Sequence, residues 1–161
     1  MKKIIFLIFL FFSLLSLAEE LIGKVIKVSD GDTITVLDSS NQKHKVRLRG
    51  IDAPETKQAF GDTSTQSLAE LVYDKEVTVS WDKKDKYYRI LGKVIVDGRD
   101  ANYLQLKKGL AWYYKQYEKD LSDEDKERYS EAQNLARNYT EGLWTDLKSI
   151  PPWEFRRKEK N

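Results

Sequence analysis

The sequence contains no cysteine, one histidine and three prolines among its 161 residues. The lack of cysteine excludes disulfide cross-links, thiol catalysis and cysteine metal sites. A single histidine, His44, excludes a histidine-rich metal site and leaves at most one imidazole as a base. The fold must therefore be stabilised without cross-links, by a core that a chain of this length can bury.

Long apolar runs are also scarce, and the clearest one is at the N-terminus. Residues 1–18, MKKIIFLIFLFFSLLSLA, contain two lysines, then an almost unbroken apolar stretch over residues 4–17, and end in small residues. A retained membrane anchor is one alternative, but the stretch is shorter than the roughly 20 residues that a spanning helix needs. The pattern predicts a signal peptide cleaved after Ala18. We therefore expect an exported protein, periplasmic or secreted, that meets the membrane only before cleavage.

The chain also has little net charge. It carries 28 basic and 26 acidic residues, and two of the basic ones, Lys2 and Lys3, lie in the predicted signal peptide. Without them the chain is formally neutral, which excludes a global basic field as the source of nucleic-acid binding. Any affinity for phosphate must then come from local clusters or from a bound cation.

Short β patterns separated by turn signals fill the first part of the remaining chain. Runs rich in β-branched residues predict five strands, at residues 21–28, 33–37, 43–51, 76–81 and 90–96. The Asp30-Gly31-Asp32 turn predicts a hairpin between the first two, and a charged loop over residues 82–86 links the last two. Three successive antiparallel strands indicate a meander.

Helical patterns follow the third and fifth strands. The first predicted helix is capped by Asp62 or Thr63 and runs to Tyr73, the second covers residues 101–108, and the third begins at Ser122. The expected buried side of the third is Tyr129, Ala132, Leu135, Ala136 and Tyr139. These elements predict an α+β fold, a five-stranded OB-fold β-barrel with three helices. Residues 19–150 form the predicted domain, and residues 151–161 a basic C-terminal tail without an assigned function.

Three charged segments lie at strand ends, where a rigid scaffold can bring them together. They are residues 30–33, 46–56 and 85–89. In the second, VRLRGIDAPET, Arg47 and Arg49 alternate and so share one face of a strand. A solvated strand face running into a turn is the ordinary explanation. Asp32 and Asp52 could instead bind a cation, and their hard oxygens suit Ca²⁺ better than zinc.

Taken together, these segments resemble the staphylococcal nuclease family, also called thermonuclease-like. The resemblance runs from about Val25 to Trp153. It rests on DGDT at 30–33, RLRGIDAPET at 47–56, DKYYR at 85–89, KKGLAW at 107–112 and GLW at 142–144. Each motif alone is common, whereas all of them in this order and spacing are specific.

The resemblance implies a role for each matching residue. Asp32, Asp52 and the main-chain carbonyl of Ala53 would bind Ca²⁺. The implied phosphate clamps are Arg47 and Arg89, and Glu55 would handle the attacking water as a base or by positioning it. The implied substrate-binding residues are Lys86, Tyr87 and Tyr117, with Tyr113 or Tyr114, of which we favour Tyr114, beside Tyr117.

The activity implied is that of a Ca²⁺-dependent endonuclease. It would hydrolyse phosphodiester bonds of DNA, and RNA as a second substrate, by in-line attack of water, and it would favour single strands. No stable protein partner is implied, and a monomer is expected. The alternatives are a non-catalytic OB-fold module that binds nucleic acid or peptide and, more weakly, a calcium-binding surface protein. The carboxylates and arginines at one place favour the enzyme.

Three positions depart from the family pattern. Ala53 stands where many members have threonine, Tyr88 replaces a frequent glycine, and Arg49 replaces a residue that is usually apolar. A differently shaped loop is therefore expected at Tyr88, and Arg49 and the lysines at 83–86 are interpreted as structural or solvated. For Arg47, a structural salt bridge with Glu55 is the alternative to a role in binding phosphate.

Overall fold

The computed structural model describes residues 19–160. The predicted signal peptide lies outside them. Within the described part, the strands are β1 Glu19–Asp30, β2 Thr33–Asp38, β3 Lys43–Leu48, β4 Ile51–Asp52, β5 Glu76–Lys84, β6 Ile90–Val96, β7 Arg99–Asp100 and β8 Trp112–Tyr113. The α-helices are α1 Gly61–Val72, α2 Ala101–Lys107, α3 Asp123–Asn138 and α4 Pro152–Lys158, and Lys115–Asp120 and Gly142–Thr145 form 3₁₀-helices.

Five strands close into a barrel. Antiparallel pairing connects them in the order β3-β2-β1-β5-β6, and a parallel pairing of Val46–Leu48 in β3 with Ile90–Gly92 in β6 closes the cylinder. Closure leaves no open edge between these strands. The α+β OB-fold barrel predicted from the sequence is therefore confirmed.

The core lies inside the barrel and under the helices. Alternate strand residues point inward, as the period of two in a β-strand requires. Those with almost no exposure are Val25, Ile34, Val36, Val46, Leu48, Val77, Val79 and Val94, joined by Leu68 and Val72 of α1 and Leu106 of α2. A small antiparallel ladder of β4 with β8 pairs Asp52 with Trp112 and extends the structure beyond the barrel.

The third strand is shorter than its sequence pattern predicts. It ends at Leu48 rather than Ile51, because Gly50 adopts a left-handed backbone with a φ of 79° and turns the chain. Ile51 and Asp52 then form the separate strand β4. This turn is what carries the chain from Arg47 to Asp52.

The start of α1 also differs from the prediction. Phe60 is the N-cap residue, with a φ of 65° and no side-chain hydrogen bond, so neither Asp62 nor Thr63 caps the helix. The helix begins two or three residues earlier because Gly61 packs against the backbone of Glu55, where a Cβ atom would lie 2.1 Å from the carbonyl oxygen. Only glycine fits this close approach.

The predicted cap of α3 is confirmed, but its predicted buried side is partly wrong. The Ser122 hydroxyl accepts a hydrogen bond from the Asp125 amide. Tyr129, Ala132 and Ala136 are buried, as expected, whereas Leu135 and Tyr139 are 45% and 73% exposed. At about 100° per residue, Leu135 lies a quarter turn away from the buried stripe, and Tyr139 falls at the C-cap.

The C-terminal segment forms a fourth helix that was not predicted. Pro151 and Pro152 precede and open α4, in keeping with the tolerance of proline in the first helical turn. The helix lies against the charged segments rather than extending into solvent. Among residues 19–160, no helix has the length and apolar character needed to cross a membrane.

Candidate active site

One pocket of about 470 Å³ brings the three charged segments together. The β1–β2 turn, the segment from β3 to Glu55, and the loop before β6 each line part of it. Every site residue predicted from the sequence lines this pocket: Asp32, Arg47, Asp52, Ala53, Glu55, Lys86, Tyr87, Arg89, Tyr114 and Tyr117.

Arg47 bridges the two predicted cation ligands at the base of the pocket. Its Nη1 lies 3.0 Å from Asp32 Oδ2, and its Nη2 donates to Asp52 Oδ1 at 2.7 Å. Nη1 also donates to the carbonyl of Ile51 at 2.9 Å. Asp32 and Asp52 are only 5% and 1% exposed, so their charges need these partners. The alternative pairing of Arg47 with Glu55 is therefore wrong.

The β1–β2 turn holds Asp32 in place through its own backbone and that of β4. The Asp32 amide donates to Asp30 Oδ1 at 3.1 Å, and the Ala53 amide donates to Asp32 Oδ2 at 2.7 Å. The turn also needs Gly31, where a Cβ atom would lie 1.9 Å from the Ser64 hydroxyl oxygen. These contacts hold the Asp32 carboxylate next to the backbone that follows Asp52.

The local charges and donor atoms fit a hard cation. Burial, then the neighbouring charge of Asp32, raises the pKa of Asp30 to about 7. Asp30, Asp32 and Asp52 all line this pocket. In the described chain, no group of three or more His, Cys, Asp or Glu is arranged to hold a metal. A cation would therefore be held by Asp32, Asp52, a main-chain oxygen and water, a mixed shell that Ca²⁺ accepts.

Asp85 organises the loop that presents Arg89. Its carboxylate accepts the backbone amides of Tyr87 at 2.9 Å and Arg89 at 3.0 Å, and the Arg89 Nε at 2.8 Å. Burial opposes ionisation, yet these hydrogen bonds lower the pKa of Asp85 overall. Tyr88 adopts a φ of 62°, a conformation that favours glycine, and its side chain is exposed. The loop thus accommodates the tyrosine at a backbone cost on the order of 1–2 kcal/mol.

Aromatic rings form a second part of the pocket lining, called here the aromatic side. The rings of Tyr114 and Tyr117 have centroids 5.0 Å apart in an edge-on arrangement, whereas Tyr113 is only 4% exposed and belongs to the core. Of the two tyrosines considered beside Tyr117, Tyr114 is therefore the one in the pocket. Tyr87 is exposed, with the Lys86 ammonium 5.1 Å from its ring centre.

Arg49 has structural contacts, as the sequence interpretation expected. Its guanidinium donates to Asp82 Oδ1 at 2.8 Å and to the Asp120 carbonyl at 3.1 Å. It therefore connects the β3–β4 turn to β5 and to the 3₁₀-helix that ends at Asp120. Arg49 borders the pocket but does not join the Arg47 cluster.

The sequence interpretation missed Arg156. This residue of α4 donates from Nη1 to Glu55 Oε1 at 2.6 Å and from Nη2 to Asp52 Oδ2 at 2.8 Å. Burial acts against its charge, but the hydrogen bonds to Asp52 and Glu55 raise the pKa of Arg156. A signal was present: the residues of this segment that line the pocket are Trp153, Arg156, Arg157 and Lys160, at helical i, i+3, i+4 and i+7 spacing.

Comparison with known proteins shows the family to which the chain is similar. A family described as staphylococcal nuclease homologue matches residues 45–146. A protein named as an uncharacterized endonuclease from Escherichia coli is 41% identical over 160 residues, covering 99% of this chain and all of the relative. An uncharacterized endonuclease from Haemophilus influenzae is 44% identical over 137 residues, covering 85% of this chain and 74% of the relative. A micrococcal nuclease from Shigella flexneri is 38% identical over 148 residues, covering 86% and 82%. The chain therefore belongs to the family of staphylococcal nuclease homologues.

Proposed function

We propose that the protein is a Ca²⁺-dependent nuclease that hydrolyses phosphodiester bonds of DNA and RNA and favours single strands. One observation carries the proposal: a single pocket gathers two buried carboxylates bridged by Arg47, with Glu55 and Arg89 lining the same space. A module that only binds nucleic acid gains nothing from carboxylates that face a phosphate, because like charges repel.

Two arginines would bind the scissile phosphate. Arg47 is fixed by Asp32 and Asp52, and Asp85 holds Arg89 through Nε and Nη2, so that Nη1 takes no part in that contact. Planar guanidinium groups match phosphoryl oxygens with forked, charge-assisted hydrogen bonds that lysine cannot form. These groups are preorganised for the charge that develops on phosphorus oxygens during attack.

Glu55 would accept the proton of the attacking water. It is only half-buried, so water reaches its carboxylate, and it lies in the same pocket as the predicted cation ligands. Bound to Asp32, Asp52 and the Ala53 carbonyl, Ca²⁺ would polarise a phosphoryl oxygen and help orient that water.

The aromatic side of the pocket supports the preference for single strands. The edge-on pair Tyr114 and Tyr117 offers a surface on which an unpaired base can stack, a contact typically worth about 1–3 kcal/mol. A base in a duplex must first leave its helix to reach such a surface. The proposed enzyme acts as a monomer and needs no protein partner.

A hydrolysis assay tests the function directly. Residues 19–161, which include the whole barrel and its helices, are incubated with heat-denatured or native DNA in Ca²⁺, in Mg²⁺ or in chelator. We expect degradation in Ca²⁺ alone, faster for denatured DNA, because a bound cation completes the site and Ca²⁺ accepts an irregular oxygen shell, whereas Mg²⁺ demands near-ideal octahedral geometry. The control is Arg89→Ala, prepared identically. Intact DNA in every tube, from protein with a folded circular dichroism spectrum, would favour a binding module instead.

Export is proposed on sequence grounds alone. The apolar stretch and small residues of 1–18 predict cleavage after Ala18. We expect that protein expressed from the full sequence in a bacterial host has Glu19 as its first residue, which N-terminal mass spectrometry measures. Recovery of the intact N-terminus in the membrane fraction would identify an anchor in place of a cleaved signal.

A further inference from the structure

Arg156 contacts two of the three carboxylates with proposed roles, Asp52 and Glu55, at the same time. One edge of its guanidinium contacts Glu55 Oε1 at 2.6 Å, and the other contacts Asp52 Oδ2 at 2.8 Å. The second Asp52 oxygen already accepts a hydrogen bond from Arg47. Both oxygens of Asp52 are therefore bound to guanidinium groups.

These contacts are incompatible with the roles proposed for the two carboxylates. A cation coordinated by Asp52 Oδ2 would bind the same oxygen that Arg156 contacts. The cation and the guanidinium would then repel each other. The Glu55 oxygen that Arg156 contacts is likewise occupied by a hydrogen-bond donor and is not open to the attacking water. Arg156 must leave before either carboxylate can act.

The helix that carries Arg156 also covers the aromatic side of the pocket. The Trp153 ring lies 5.2 Å from the Tyr114 ring, tilted by 31°, and 5.8 Å from the Trp112 ring. The face of Tyr114 that Trp153 covers is closed to a nucleotide base. The helix α4 thus covers the ligand Asp52, the proposed base Glu55 and one face of Tyr114.

The helix α4 is attached to the domain through a small number of side chains. Pro152 is its one buried residue within the described helix, and Arg157, Lys158, Glu159 and Lys160 are exposed. Its ends are connected to the domain through the Gln58 amide, which donates to the Ile150 carbonyl at 3.0 Å, and a long ion pair of Lys57 with Glu159. Trp153, Phe155 and Arg156 are partly buried, so opening α4 costs the loss of their contacts but leaves the fully buried barrel core intact.

We propose that Arg156 and a divalent cation compete for Asp52 and Glu55, so that α4 is a latch that holds the site closed until the cation releases it. This inference rests on the cation site of the proposed function and adds a residue that sets its affinity. In the closed state Arg156 neutralises the carboxylates. In the open state α4 leaves Asp52, Glu55 and Tyr114 uncovered.

Calcium binding to protein without nucleic acid tests the competition. Residues 19–161 are titrated with CaCl₂ in a calorimeter as the wild type, as Arg156→Gln and as Lys158→Gln. The last variant removes one positive charge from the same helix at an exposed position outside the pocket. We expect Arg156→Gln to bind Ca²⁺ about tenfold more tightly than the wild type, a typical coupling between two sites, and Lys158→Gln to match the wild type within about twofold.

Hydrogen exchange tests whether Ca²⁺ releases α4 or whether Arg156 only weakens Ca²⁺ binding through charge repulsion. In the wild type, Ca²⁺ is expected to lower the protection of amides in residues 153–160 while those of the barrel keep theirs. Unchanged protection there, or equal affinity of Arg156→Gln and the wild type, would overturn the latch even in an active nuclease. Absence of calcium binding in every variant would overturn the latch together with the cation site.

Discussion

Replacement of Arg89 by alanine is expected to lower the rate of DNA hydrolysis by about 10²–10³, the usual effect of losing one preorganised donor to developing charge. The loop itself should persist, because Asp85 still accepts the backbone amides of residues 87 and 89. What disappears is the guanidinium that Asp85 holds within the pocket. The loss should therefore appear in kcat rather than in stability.

Initial rates on denatured DNA in Ca²⁺, with urea unfolding of the same samples, measure this prediction. Arg99→Ala is the matched control, since Arg99 lies in β7 with its side chain exposed and only a long contact to Asp97. That variant should retain the wild-type rate. Activity of Arg89→Ala within about tenfold of the wild type would remove Arg89 from the mechanism.

Replacement of Asn102 by alanine is expected to destabilise the protein by about 3–5 kcal/mol, because a buried polar group left without its partner costs about 1–3 kcal/mol. Asn102 is fully buried at the start of α2. Its Oδ1 accepts the Val94 amide at 3.1 Å, and its Nδ2 donates to the carbonyls of Arg49 and Gly92 at 3.0 and 3.1 Å. All three hydrogen bonds disappear in the alanine variant.

The free energy of unfolding, from urea titration monitored by tryptophan fluorescence, tests this expectation. The same substitution at Asn134, which is exposed in α3, should change stability by less than about 1 kcal/mol, since alanine is the better helix former. A loss below about 1 kcal/mol for Asn102→Ala would show that solvent replaces the lost partners. Because Asn102 binds the β3–β4 turn, its loss should also loosen the spacing between Arg47 and Asp52.

Features set by local patterns could be predicted from the sequence. Alternating β-branched residues locate the barrel strands, and the Ser122 cap starts α3 as expected. The resemblance to the family implies the role of each site residue, and the three charged segments are expected to meet because they end barrel strands, which closure of the barrel brings together. Their convergence in one pocket needs no information beyond the order of the strands.

Features set by contacts between distant segments could not be predicted. The start of α1 depends on how closely Gly61 approaches the Glu55 backbone, and no property of Gly61 alone reveals that neighbour. Arg156 meets Glu55 across about a hundred positions of sequence. Its helical spacing with Trp153 predicts a face, but which surface that face contacts depends on the path of the chain after α3.

The parallel pairing of β3 with β6 also has a consequence for folding kinetics. Val46 and Ile90 are separated by 44 positions, so this pairing requires the closure of a long loop before any of its hydrogen bonds can form. Proteins rich in such nonlocal pairings fold in milliseconds to seconds, more slowly than helical bundles. Arg47 lies within this pairing and Arg89 immediately precedes it. A refolding chain thus acquires its two phosphate-binding arginines in the same event that closes the barrel, and partly folded chains lack the assembled pocket.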